Sequence, residues 1–302
     1  MAESIALIER AAARLRQQDA NAINLSGEPS APGEPSAPGV VSPNRPQLTL
    51  DRGRLAGFGI AIPASERSRT VEEFRVVKRN LMASSPQSGT ISDPGPNQLV
   101  MVTSARPSEG KTFSAVNLAL AFASEKDVKA LLVDADTQHP TLPKIFGFPG
   151  ESGIVEVLAG SADLSEVLIQ TNLSNLMILP AGRGGPHVPE LLSSKQMGAL
   201  LAELSRLFAG RFIIIDTPPC MASSDAATLA PLVGHIVFVV EAYGTQQAEI
   251  EAALSMLSAC PRISLLLNKT DAQASEHFGF YGYYKYNSAD GQGDERPSAE
   301  PV

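Results

Sequence analysis

Between Thr103 and Thr112 the chain reads Thr-Ser-Ala105-Arg-Pro-Ser-Glu-Gly110-Lys111-Thr112. This is the phosphate-loop pattern G-x-x-x-x-G-K-[ST], with Ala105 at the first glycine. Such a loop (Ala105, Arg106, Pro107, Ser108, Glu109, Gly110) works chiefly through its backbone. Its N–H groups, with those of the helix that follows, cradle the β and γ phosphates of a nucleotide. Lys111 adds a mobile point charge, and the Thr112 hydroxyl is placed to ligand Mg²⁺. A Gly-Lys-Thr can arise by chance in a strand–helix turn, but its position directly after an apolar run favours nucleotide binding.

Two further apolar runs end in carboxylates. Leu131-Leu-Val-Asp134-Ala-Asp136 carries two, and Phe212-Ile-Ile-Ile-Asp216-Thr-Pro218-Pro219 carries one. At the carboxyl ends of parallel strands such residues converge on the crevice where ligands of open α/β sheets bind. One alone could merely cap the next helix. Three beside a phosphate loop point to Mg²⁺ binding or to proton transfer from an attacking hydroxyl. Asn268-Lys269-Thr270-Asp271 follows the last apolar run and spells N-K-x-D, which in regulatory GTPases reads guanine; Asn268 could equally contact adenine. The chain has five tyrosines, and four of them (Tyr281, Tyr283, Tyr284 and Tyr286) fall within Phe280-Tyr-Gly-Tyr-Tyr-Lys-Tyr286. The cluster reads either as a sticky docking patch or as a phosphoryl acceptor, each phosphate adding about −1.5 to −2 charges.

The elements that must position these residues are visible in the hydrophobic pattern. Apolar runs at Leu99–Thr103, Ala130–Asp134, Leu176–Leu179, Phe212–Asp216, Ile236–Val240 and Ile263–Leu267 are continuous, as in strands buried on both faces. Helix-length segments at 112–125, 196–209 and 246–258 separate them. The alternation predicts an α/β fold with a doubly wound, mostly parallel sheet. Four regions follow: an N-terminal amphipathic helix over 1–25, a Pro/Gly/Ser-rich linker over 26–69, a phosphate-loop domain over 70–272 that opens with a helix at 70–82, and a flexible tail over 273–302. The linker contains Gly27-Glu-Pro-Ser-Ala-Pro32, repeated at once as Gly33-Glu-Pro-Ser-Ala-Pro38, a composition suited to an extended spacer.

Composition excludes several classes. Of 302 residues 43% are hydrophobic, enough for a large core. With 24 basic and 32 acidic residues the net charge is −8, so no global field draws the chain to nucleic acid. Cys220 and Cys260 are too far apart for a metal knuckle. The sequence shows neither a signal peptide nor a membrane-length apolar run, and it reads as cytoplasmic.

Taken together, the glycine-poor loop 105–112, the Asp134/Asp136 and Asp216-Thr-Pro-Pro strand ends and the tyrosine-rich tail resemble the bacterial tyrosine autokinases of capsule and exopolysaccharide systems. The likeness covers about residues 70–286. Glu72-Glu-Phe-Arg75-Val-Val-Lys78-Arg-Asn80-Leu81 is similar to that family's E-x-x-R-x-x-R-x-N-L assembly helix, which implicates Glu72, Arg75 and Lys78 in ring-shaped homo-oligomers. Ser4–Leu15 is similar to the start of the exosortase-associated subgroup. The chain departs from the family pattern where Gln138 stands for the arginine of D-x-D-x-R and where Lys78 replaces an arginine, losing its bidentate fork.

The resemblance implies a P-loop NTPase fold of the deviant Walker (MinD/ParA-like) type, with ATP and Mg²⁺ as cofactors. Lys111, Asp134, Asp136 and Asp216 would be catalytic, with Thr112, Asp136 and Asp216 at the metal; Asp134 or Asp136 would orient or deprotonate the tyrosine. It further implies a transmembrane polysaccharide copolymerase subunit as partner at the inner membrane, and a cognate tyrosine phosphatase. The rival reading is a MinD/ParA-like ATPase acting as a nucleotide-switched assembly protein. Those proteins carry a signature lysine where this chain has Arg106, and their tails are not tyrosine-rich. A third is an ATP-binding adaptor whose tail only docks a partner.

Overall fold

The computed structural model describes residues 47–62, 68–84, 98–125, 128–185, 188–192, 195–208 and 210–270. The helix expected over 1–25, the Pro-rich repeat and the tyrosine tail lie outside the described residues. One eight-stranded sheet carries the fold: β1 (Gln47–Leu48), β2 (Leu99–Ser104), β3 (Lys129–Asp134), β4 (Ile169–Thr171), β5 (Leu176–Leu179), β6 (Arg211–Asp216), β7 (His235–Glu241) and β8 (Ile263–Asn268). The order is β1-β4-β5-β3-β6-β2-β7-β8. Every pairing is parallel except β4 with β5. The six strands expected from apolar runs are all present, but β8, at the sheet edge, is not buried on both faces: Leu265 is 58% and Leu267 56% exposed. The two that the sequence pattern does not signal are β1 and β4, two and three residues long.

Continuous apolar strands imply a core on each side, and there are two. Leu99, Met101, Leu131, Val133, Ile213, Ile215 and Phe238 face one. Val100, Val102, Leu132, Ile214, Val237 and Val239 face the other. Four helices of ten residues or more are described: α1 (Arg69–Ser84), α2 (Lys111–Ala123), α3 (Lys195–Leu207) and α4 (Gln247–Met256). In α2 every residue from Ser114 to Ala123 is buried. Its inner side lies on the sheet and its outer side is covered by α1 through Phe74 and Leu81, with Phe74 edge-on to Phe113.

Val71, Phe74, Lys78 and Leu81 form the inward stripe of α1 at helical spacing. Lys78 is therefore 7% exposed, and its ammonium is paired with Glu125 just past the end of α2. That bond and charge hold the Glu125 carboxyl below its usual range. Glu72 and Arg75 stand on the outer side, paired with each other. Of the three residues expected at an assembly surface, two are surface groups and the third fastens α1 to the domain.

The linker expected over 26–69 overlaps folded structure. Residues 47–62 contribute β1 and a short helix, Arg52–Gly57, capped by Asp51. Leu50, Leu55 and Ile60 are buried in the α2-side core. The Leu50 N–H donates to Asn172 Oδ1 at 3.0 Å, and Arg54 donates to the Lys144 carbonyl at 3.0 Å. Leu50, Leu55 and Ile60, well spaced in a Pro/Gly-rich context, give no periodic signal. Leu55→Ala is expected to cost about 2–5 kcal/mol, read as a lowered urea midpoint; an unchanged midpoint would mean that this segment is peripheral.

Candidate active site

Strand register brings the chemistry together. β6 lies between β3 and β2, and Asp216 is the register partner of both Asp134 and Val102. The carboxylates expected at two strand ends thus meet beside the loop that leaves β2. All three are buried: Asp134 0%, Asp136 2% and Asp216 1% exposed.

The loop is shaped by two left-handed residues, Ser108 at φ 66° and Gly110 at φ 99°. Gly110 caps α2. A Cβ there would sit 2.0 Å from Asn268 Nδ2, so no side chain fits without displacing Asn268. The Lys111 ammonium donates to Asp136 Oδ2 at 2.6 Å. Asp136 Oδ1 accepts from the His139 N–H at 3.2 Å, and Asp134 Oδ1 accepts from the Asp136 N–H at 3.2 Å. The Thr112 hydroxyl is bonded to Asp216.

These carboxylates are electrostatically loaded. Burial raises the Asp134 carboxyl well above its ordinary value, and the Asp216 and Asp136 charges raise it further. Burial lifts Asp216 to about 7 against the opposing pull of Lys111 and the Thr112 hydroxyl. Asp134 Oδ2 and Asp216 Oδ1 are buried with no hydrogen-bond partner. Carboxylate oxygens buried without a partner beside other carboxylates are what a divalent cation would relieve, so the residues fit Mg²⁺. Among the described residues no three acidic, His or Cys side chains could hold an ion unaided. That suits an ion which takes few carboxylates and completes its shell with phosphate oxygens and water.

Glu109 is a site residue whose structural part the sequence does not reveal, since the loop pattern admits any residue there. It is 1% exposed. Its Oε2 accepts the Arg106 N–H at 2.8 Å, its Oε1 accepts the Thr245 hydroxyl, and its carbonyl accepts Asn268 Nδ2 at 2.9 Å. Thr245 Oγ1 in turn accepts the Glu241 N–H at 2.9 Å. The phosphate loop is therefore tied to the ends of β7 and β8. The Asn268 side chain is oriented by this network through Nδ2. Arg106 reaches Glu249 of α4 at 3.4 Å. Gln138, where the family resemblance expects arginine, is exposed. Cys220 and Cys260 are free and buried; burial pushes the Cys220 thiol up to about 11, so neither is placed for nucleophilic work.

A phosphate loop and three buried carboxylates on the carboxyl edge of a doubly wound sheet define a P-loop nucleotide-binding protein. Comparison with known proteins narrows the class. A family model described as an AAA domain matches residues 98–246. The tyrosine-protein kinase CpsD of Streptococcus pneumoniae is 32% identical over 192 residues, covering 62% of this chain and 83% of that protein. Among solved structures, the VpsO kinase domain superposes with a TM-score of 0.57 at 33% identity, covering 67% of this chain and 95% of that one. The chimerical protein CapA2B2 gives a TM-score of 0.62 at 27% identity, covering 76% and 94%. The chain belongs to the bacterial tyrosine-protein kinase family.

The raised Asp216 carboxyl sets a pH dependence. Its folded value of about 7 lies above the ordinary 3.8, so between these values the folded state binds more protons than the unfolded chain. Stability from this group is full below about 4 and is lost as pH rises through about 7. Denaturation of nucleotide-free protein at pH 6 and pH 8 should therefore give a more negative stability slope for wild type than for Asp216→Asn. Equal slopes would contradict it.

Proposed function

We propose that this chain is an ATP-dependent protein-tyrosine autokinase that phosphorylates Tyr281, Tyr283, Tyr284 and Tyr286 on a neighbouring copy, and so regulates exopolysaccharide or capsule polymerisation and export. The observation that carries the reading is the meeting of the 105–112 loop with three buried carboxylates, two of which hold an oxygen without a partner. The family's named kinases support the acceptor class.

In this reading the loop N–H groups and Lys111 bind the phosphates. Lys111 exchanges part of its contact with Asp136 for the nucleotide, and Asp136 holds the lysine in reach. Thr112, Asp136 and Asp216 would hold Mg²⁺, which supplies charge neutralisation across the transferring phosphoryl group. Asp134 is the proton acceptor: a raised carboxyl with an uncommitted Oδ2 suits general-base work. The tyrosine O–H proton passes to it as the phenolic oxygen bonds the γ-phosphorus, and the bond to the bridging oxygen breaks to release ADP. Asn268 meets the base.

Tail phosphorylation in trans requires neighbouring copies, and Glu72 and Arg75 on the outer side of α1 are suited to that contact. No helix among the described residues is long and apolar enough to cross a membrane. The reading also includes a transmembrane copolymerase subunit that holds the kinase at the inner membrane, through residues 1–45, and a phosphatase that resets the tail.

The test is incubation of the full chain with Mg²⁺-ATP and mass mapping of the tail, beside Lys111→Met and a truncation before Phe280. Phosphate on the four tyrosines, lost in Lys111→Met, is expected. ADP release with an unmodified tail would instead favour a MinD/ParA-like ATPase. Deleting residues 1–45 should abolish capture by the copolymerase's cytoplasmic segment while leaving the ATP dissociation constant unchanged; loss of ATP affinity would overturn that assignment.

A further inference from the structure

Tyr243 is the only tyrosine among the described residues, and nothing in the catalytic scheme uses it. It is 86% exposed, yet its backbone is left-handed, with φ 62°. A bulky side chain pays a steric penalty in that region. Such strain persists where the surroundings over-determine it, and it gathers at ligand sites.

The surroundings do over-determine it. The turn after β7 closes on itself: the N–H groups of Gly244 and Thr245 both donate to the Glu241 carbonyl at 3.1 Å, and the Glu241 N–H donates back to Thr245 Oγ1 at 2.9 Å. The Ala242 N–H donates to the Asn268 carbonyl at 2.9 Å. A Cβ on Gly244 would sit 2.8 Å from the Glu241 side chain, so the turn has little room to shift. Through Thr245 it is bonded to Glu109 of the phosphate loop. Tyr243 is thus held outward by a fixed turn.

Its place along the sheet edge identifies what it can meet. β7 lies between β2, which leads into the phosphate loop, and β8, which ends at Asn268. Glu241 and Asn268 are register partners, and Tyr243 is the residue next to the Ala242–Asn268 hydrogen bond. A nucleotide with phosphates on the loop and base edge on Asn268 Oδ1 must carry its purine past the β7 turn.

We infer that Tyr243 is the stacking platform for the purine of the bound nucleotide, covering the face of a base whose edge meets Asn268. The inference rests on the nucleotide-binding reading above, and its test separates the two. Tripolyphosphate carries the phosphates without the base, so it reports on the loop alone. Calorimetry with the full chain would compare ATP and tripolyphosphate on wild type, Tyr243→Phe, Tyr243→Ala and Tyr243→Gly.

Tyr243→Phe should retain ATP affinity. Tyr243→Ala should weaken ATP by roughly ten- to a hundredfold, the scale of base–aromatic stacking, and leave tripolyphosphate unchanged. Tyr243→Gly should lose ATP affinity equally while its thermal midpoint holds or rises, because relief of left-handed strain offsets the freedom that glycine adds to the unfolded chain. A purely structural role would not separate affinity from stability in that way. The chain contains no tryptophan, so Tyr243→Trp gives a single reporter whose fluorescence should change with ATP and not with tripolyphosphate. Unchanged ATP affinity in the Ala and Gly variants, or equal loss for both ligands, overturns the stacking role while the nucleotide site stands. Failure of wild type to bind ATP overturns both.

Discussion

Asp134 and Asp216 are register partners on adjacent strands, and Asp136 follows two residues later, so three carboxylates share an edge with almost no solvent exposure. Charges in such a place are expensive unless each is paired or hydrogen-bonded. The surrounding structure answers that problem piece by piece. Lys111 brings an ammonium to Asp136, Thr112 a hydroxyl to Asp216, and the turn after β3 its own N–H groups. What remains is two buried oxygens without partners. The deficit in these carboxylates is the same property that would give a Mg²⁺-bound nucleotide its purchase.

The phosphate loop depends on more than its sequence pattern. Glu109 binds the loop internally through the Arg106 N–H and externally through Thr245 and Asn268. Its position makes the loop, the β7 turn and the end of β8 one hydrogen-bonded unit. Phosphates at one end and a base at the other would therefore be held by groups whose spacing is already set, which lowers the ordering cost of binding.

Much of this was legible in the residues. Strands buried on both faces need no alternation, and five of the six apolar runs marked such strands to within a residue or so; the sixth marked β8, an edge strand that leaves Leu265 and Leu267 exposed. The Gly-Lys-Thr and the three strand-end aspartates were readable because their chemistry is tied to strand ends by topology. Other features were not. β4 is three residues long, antiparallel to β5 and parallel to β1, and is held by these neighbours rather than by its own pattern. The short helices Leu142–Phe146, Ile154–Leu158 and Asp225–Leu229 are too brief for a 3.6-residue period to repeat. Residues 47–62 are Gly- and Arg-bearing, and only tertiary packing makes Leu50, Leu55 and Ile60 core. Lys78 carries a charge, so sequence reading puts it outside; its burial depends on Glu125, 47 positions away.

The strand order has a consequence for how the protein comes into being. β2 sits between β6 and β7, and the Thr217 hydroxyl that closes over its end bonds Val102 across 115 positions of chain. The strand that presents the phosphate loop is made early and can be flanked only after most of the domain has left the ribosome. Contacts this distant in sequence slow folding and prolong the exposure of apolar strands. Val100, Met101 and Val102 must stay unpaired during that interval, so a nascent chain is vulnerable to aggregation beside its own phosphate loop, where a chaperone would have the most to protect.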